Sequence, residues 1–333
     1  MSARSTISFL KKAFRIREEK SHVNKKRSQR VFGIIVQATF LTLWSTLAWA
    51  QDGAVKLAEG IFAIKGPGEA INTGFVVGER GVFVYSCSLD DYERRLGIIR
   101  SVAGAKPIRF VANGHYAGDD SGCNHLLAEQ GALVVGSKEF ARQLLPYWPK
   151  RMEDELKRGR VKKEYLEGKR VELAMPVITF EDKITLDLGG RQVELIFVGK
   201  AHTPDNTIAW MPKEKVLFVD DLLFVELHPT ADDRSDTVNW QRILRNLAGW
   251  SPVTVVPGHG IFSPENGTRP LLEMDRYFDT MRSRVQAMFK AGKSLEEIKK
   301  GIQPELGEFS KWPRERALPG TTEQFYRELT AKK

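Results

Sequence analysis

Only two cysteines, Cys87 and Cys123, occur in 333 residues. A single pair in a chain of this size excludes a disulfide-built scaffold, and 42% hydrophobic content supplies an ordinary core instead. The two are read as small buried thiols, although an oxidising compartment would permit a bond between them. Short-period repeats are missing, and no Pro/Ser-rich linker divides the chain after residue 50. Net charge is scarce there as well. Residues 1–30 hold ten Lys or Arg against Glu18 and Glu19, so without residues 1–50 the net +9 falls to about +1. That takes away the main electrostatic support for a nucleic-acid partner and leaves a small-molecule substrate as the expected one.

The basic segment is followed by Val31 to Ala50, a run free of charged residues that ends in Ala48-Trp49-Ala50. A basic n-region, an apolar h-region and an Ala-x-Ala ending describe a secretory signal peptide. The run is about long enough to cross a bilayer as a retained anchor. However, Gln37, Thr39, Thr42, Ser45 and Thr46 dilute it, and the small-residue ending favours cleavage after Ala50. The expected product is periplasmic or secreted, with membrane contact only through an uncleaved leader.

Past the leader, Ile61 to Lys65, Asn72 to Val77 and Val82 to Ser86 are short Val/Ile/Phe-rich runs between Gly-containing turns, and read as antiparallel strands. Leu89 to Val102 has helical spacing, and Ile108 to Ala112 is the next strand. A helix at Asn124 to Gln130, a strand at Ala132 to Val135 and a helix from Ser137 follow. Pro149 to Lys169, rich in charges of both signs, reads as a solvated helical insertion. Strands resume at Val177 to Phe180, Ile184 to Leu188, Gln192 to Val198, Thr207 to Met211 and Val216 to Val219. A helix near Thr237 to Leu247, a strand at Val253 to Val256 and a helical tail from about Arg269 complete the chain. Strands then helices, twice over, suggest two similar halves packed as a sandwich.

The chemistry concentrates in four segments. Asn113-Gly-His-Tyr-Ala-Gly-Asp-Asp120, Ala201-His-Thr-Pro-Asp-Asn206, Val219-Asp-Asp-Leu222 and Val256-Pro-Gly-His-Gly260 all lie at the ends of apolar strands. Of the five histidines after the leader, His115, His202 and His259 sit in these segments, which are read as loops. Each alone could be a loop imidazole held by backbone hydrogen bonds. With Asp119, Asp120 and Asp221 they make a ligand set for a hydrolytic metal ion, which needs imidazoles and carboxylates converging from several loops.

The order and spacing of these residues, from about Gly60 to the end, resemble the metallo-β-lactamase superfamily. That family's motifs are His-x-His-x-Asp-His, a lone His, a bridging Asp or Cys, and a final His in a Pro-Gly-His-Gly loop. His115, Asp119, His202, Asp221 and His259 occupy matching positions. The resemblance implies a four-layer αββα sandwich, an α/β fold, over residues 51–333, with a C-terminal helical extension from about 267. It also implies one or two zinc or iron ions that activate water. The first motif departs from the pattern: Ala117 stands at the second His, Asp120 at the last, and Ser86 replaces a supporting Asp. Such losses favour one ion over a pair and weaken its hold. The expected half-sites are His115, His202 and Asp221, suited to Zn or Fe, and Asp119, Asp120, His259 and Asp221, whose oxygen-rich character admits Mn or Fe.

Within the resemblance Asp119 takes the catalytic role, orienting or deprotonating the attacking water. Tyr116 and His228 are possible pocket walls, and equally packing residues. Three functions follow from these residues: an exported metal-dependent hydrolase of an ester, amide or thioester; a β-lactamase; or an inactive relative serving as a binding module. The run from His202 to Phe218 resembles di-zinc β-lactamases. Against that, Phe224 stands where those enzymes commonly place a substrate-binding Lys.

Overall fold

The computed structural model describes residues 53–157, 159 and 174–331, and the signal peptide read over residues 1–50 lies outside them. Seven short strands pair in chain order into one sheet: β1 (Ala54–Ala58), β2 (Ile61–Ile64), β3 (Thr73–Val77), β4 (Val82–Tyr85), β5 (Ile108–Ala112), β6 (Leu133–Ser137) and β7 (Ile178–Phe180). Tight turns make β1 to β4 antiparallel. From β4 onward the pairing is parallel, which requires crossovers. These are supplied by α1 (Tyr92–Ala103), the short α2 (Gly118–Ser121) with α3 (Asn124–Glu129), and α4 (Lys138–Lys157).

The second sheet has five strands in the order β12-β11-β10-β9-β8. They are β8 (Lys183–Asp187), β9 (Gln192–Gly199), β10 (Asn206–Met211), β11 (Val216–Val225) and β12 (Thr254–Gly260). Only β11 and β12 pair in parallel, across the crossover helix α5 (Thr237–Gly249). Asp236 caps α5 by accepting from the Asn239 N–H, which fixes where the helix starts. The C-terminal part folds as α6 (Arg269–Lys290), α7 (Leu295–Glu305) and α8 (Leu318–Ala331).

Burial explains the layering. Val76, Phe83, Tyr85, Leu195, Ala209 and Phe218 fill the space between the sheets. Leu96, Ile99 and Leu127 of α1 and α3 cover the outer face of the seven-stranded sheet. Trp240, Leu244, Phe278, Met281 and Ile302 bring α5, α6 and α7 onto the five-stranded sheet. The architecture is therefore the expected αββα sandwich, with β4 and β11 buried on both faces and apolar along most of their length. No helix among the described residues is long and apolar enough to cross a membrane.

Two local expectations are corrected, the strand ends and the free thiols, and two segments add detail. β11 does not stop at Val219 but continues to Val225, and β12 continues to Gly260, so Asp221 and His259 stand on paired strands rather than in loops. Ladder pairing between Phe224 and His259 and between Val225 and Gly260 holds both strands together that far. The charged segment begins as the last turns of α4, which carry Pro149, and beyond Lys157 it is almost wholly outside the described residues. β1, a polar edge strand, went unread. Finally, Cys87 and Cys123 are joined as a disulfide, not two thiols, with Cα atoms 5.7 Å apart.

Candidate metal centre

The six sequence-derived ligands gather at one end of the sandwich. His115, His202 and Asp221 each offer an atom within 4.8 Å of the others, as do Asp119, Asp221 and His259. Asp221 belongs to both sets: its Oδ2 lies 3.4 Å from His202 Nε2 and its Oδ1 3.0 Å from His259 Nε2. Gly258 makes this possible, since a Cβ there would fall 2.4 Å from Asp221 Oδ1. The first expected half-site therefore holds together. The second does not hold as expected: Asp120 pairs with His115 and Asp119, and separately with Asp220 and Asp221, rather than joining His259.

The imidazoles are held by groups that sequence could not show. His202 Nδ1 lies 2.9 Å from the Thr230 carbonyl, and His259 Nδ1 lies 2.7 Å from the Glu69 carbonyl. Each Nδ1–H donating to a carbonyl turns Nε2 toward Asp221 as a free lone pair, the arrangement that fixes a metal-binding tautomer. Asn72 holds the loop that carries Glu69, donating to the carbonyls of Pro257 and Gly260 while its own Oδ1 accepts from the Gly66 N–H. His115 Nδ1 faces two carboxylates, at 3.1 Å from Asp120 Oδ2 and 3.2 Å from Asp220 Oδ2. Phe224 stacks on His259 with ring centroids 5.1 Å apart, and Trp240 meets His202 edge-on at 5.4 Å.

The first-motif loop has a support of its own. Ser86, at a φ of 55°, accepts from the Gly114 N–H through its hydroxyl, a smaller version of the role the resemblance gives to Asp. The Asp120 carbonyl accepts from the Cys87 N–H at 2.7 Å and from Asn113 Nδ2 at 2.6 Å. The Cys87–Cys123 bond thus ties the end of β4 to the start of α3, on either side of the loop.

Charge is unevenly shared. Burial pushes the His115 pKa down, but the hydrogen bond with Asp220 and the charges of Asp221, Asp220 and Asp119 outweigh it and lift the value to about 9. Burial dominates at His202 and lowers it to about 4. Burial works against ionised Asp221, yet His259, His202 and His115 more than compensate and hold its carboxyl far below the usual range. Burial, then the charge of Asp220, drives Asp120 well upward.

Several of these groups meet no hydrogen-bond donor or acceptor in suitable geometry. They include both oxygens of Asp120, Oδ1 of Asp220, Oδ1 of Asp221 and Nε2 of His259, all buried. Buried polar atoms are ordinarily paired, and a divalent cation would satisfy this set at once. The residues present therefore fit a metal. Asp119 differs from its neighbours in keeping 41% of its side chain exposed, 3.7 Å from His259 Nε2.

The walls resolve the remaining sequence candidates. Tyr116 is buried against Tyr147 and accepts a hydrogen bond from Arg234, which also pairs with Asp232. His228 is a packing residue: it is fully buried, bonds Tyr277 Oη at 2.9 Å and faces Trp312 in the C-terminal helical layer. Arg314, from that same layer, lies 4.8 Å over the Phe224 ring. Asp220 is the site residue that sequence reasoning missed, although the Asp-Asp pair at 220–221 was its visible signal.

The chain belongs to the metallo-β-lactamase superfamily, whose family model matches residues 66–259. A curated relative, the metallo-β-lactamase type 2 of Bacteroides fragilis, is 30% identical over 92 residues, 26% of this chain. That match spans 37% of the relative's length. Among solved structures, a metallo-β-lactamase from Pontibacter korlensis superposes with a TM-score of 0.51 at 19% identity, over 67% of this chain and 98% of that one. A stereoselective inverting sec-alkylsulfatase from Pseudomonas sp. superposes with a TM-score of 0.60 at 14% identity, over 83% of this chain and 50% of that one. At these identities the structural likenesses establish the fold alone.

Proposed function

We propose that the protein is an exported metal-dependent hydrolase acting on an ester, amide or thioester. The observation that carries this reading is the convergence of His115, His202 and His259 on the shared Asp221, with buried ligand atoms left unpaired. A divalent ion there, Zn or alternatively Fe or Mn, would polarise the scissile carbonyl and make bound water nucleophilic near neutral pH. His115, His202 and Asp221 would hold one ion, and Asp119, Asp221 and His259 a second where two are bound. Asp119, the exposed carboxylate 3.7 Å from His259 Nε2, would orient the attacking water and take its proton. The carbonyls of Thr230 and Glu69 keep both imidazoles aimed at Asp221.

A β-lactamase is the second reading, supported by the partial identity to the type 2 enzyme. Phe224 weighs against it, because its ring is stacked on His259 and offers no ammonium to a substrate carboxylate. A panel of nitrocefin, nitrophenyl esters and thioesters, assayed with and without chelator, separates the readings. Chelator-sensitive ester or thioester turnover without nitrocefin turnover is the expected result. Rapid nitrocefin hydrolysis selects the β-lactamase, and inactivity of metal-loaded protein on every substrate leaves the inactive binding module.

Export rests on the leader and is supported by the disulfide, which persists in oxidising compartments. Protein recovered from the periplasm should begin at Gln51 on amino-terminal sequencing and show no free thiol when denatured. A retained leader, or two titratable thiols, would contradict this.

A further inference from the structure

Asp220 and Asp221 are consecutive, and in a regular strand their side chains would point to opposite faces. Here the β11–β12 register shifts on both sides of Asp220, whose φ is 53°, a left-handed conformation that L-residues seldom adopt. The irregularity lets both carboxylates face the site. Asp220 fills space that only glycine leaves at position 114: a Cβ on Gly114 would lie 1.8 Å from Asp220 Oδ2. Ala117 in the same loop as Gly114 offers no ligand atom, and Asp220, reaching in from β11, adds a carboxylate oxygen beside Gly114 and His115.

Asp120, Asp220 and Asp221 each contribute an oxygen within 4.8 Å of the others, at relative exposures of 0%, 4% and 4%. Four of their six oxygens meet no hydrogen-bond donor: both of Asp120, and Oδ1 of Asp220 and of Asp221. The nearby basic groups supply only part of the deficit: His202 and His259 face Asp221 and not the other two. His115 Nδ1 carries at most one proton for the two carboxylates it faces. The buried Arg95 guanidinium is spent on Asp91, Thr73 and the Ile71 carbonyl. Asp120 and Asp220, which share one imidazole nitrogen beside Asp221, therefore lack full compensation from the protein itself.

We propose that Asp120, Asp220 and Asp221 form an additional cation position, more deeply buried than Asp119, that takes a hard, oxygen-preferring divalent ion such as Mn2+. It builds on the metal-dependent reading, because Asp221 is shared with the imidazole position. All-carboxylate donors suit Mn or Mg, whereas the imidazole-rich position suits Zn, so one site would hold two chemically different ions.

The test uses the full mature protein, stripped with chelator, given one equivalent of Zn2+ and then titrated with Mn2+. Free Mn2+ is followed by its paramagnetic resonance signal, and both metals are counted by elemental analysis after desalting. The wild type should retain Zn and take up about one further equivalent of Mn. Asp220→Asn should keep its Zn and bind Mn at least about tenfold more weakly. Gly114→Ala, which fills the space Asp220 needs, should lose Mn in the same way if the Asn variant is poorly folded. Mn uptake by Asp220→Asn and Gly114→Ala equal to wild type would overturn the inference, as would a wild type that binds Zn but no Mn. A wild type that binds neither metal would overturn the hydrolase reading as well.

Discussion

Asp221→Asn is expected to cut metal-dependent hydrolysis by at least about 100-fold, with a parallel loss of bound metal. The substitution keeps the shape of the side chain and removes one negative charge. That charge is what draws two imidazoles to a common centre, His202 at 3.4 Å and His259 at 3.0 Å. An amide also presents one acceptor oxygen where the carboxylate presents two, so it cannot serve both positions. Little apolar packing depends on the side chain, so circular dichroism and the unfolding transition should report an intact fold. Unchanged turnover and metal content in Asp221→Asn would remove Asp221 from the centre of the site.

The largest stability effect is expected at Trp240. Its indole is fully buried, donates to the Leu222 carbonyl at 2.9 Å and packs edge-on against Phe278 at 5.0 Å. Trp240→Ala should lower the free energy of unfolding by about 3–5 kcal/mol, the usual range for a large aromatic removed from a core. The same ring backs His202, so loss of the wall should also weaken metal binding through a side chain that never touches the ion. Urea denaturation of wild type and variant reads the first effect, and metal titration the second. A cost below about 1 kcal/mol would mean that the helical layer repacks around the gap.

Much of this arrangement was legible in the sequence because the underlying patterns are local. Short Val/Ile/Phe runs between glycine-containing turns marked most strands, and helical spacing marked α1 and α5. The four ligand segments could be read because His, Asp and Gly cluster at strand ends, and the three histidines and Asp119, Asp120 and Asp221 do gather. What escaped depends on long-range geometry. That Asp120 turns toward Asp220 rather than His259 follows from the irregularity in β11 and the missing Cβ of Gly114, far away in the chain. The Glu69 and Thr230 carbonyls carry no side-chain signature at all. His228 follows the bridging Asp closely, which leaves a pocket wall and a packing role equally open in the sequence, and only the C-terminal helices that enclose it decide for packing. The cysteines, 36 positions apart, could be paired only once β4 and α3 were brought together.

Metal content of the purified protein tests the central claim most directly. Purified without chelator and measured by elemental analysis, it should carry at least one equivalent of Zn, Fe or Mn per chain. After stripping it should regain that metal on reconstitution and lose it again on substitution of Asp221. Protein that leaves purification with none of these metals and takes up none when they are offered would contradict the account.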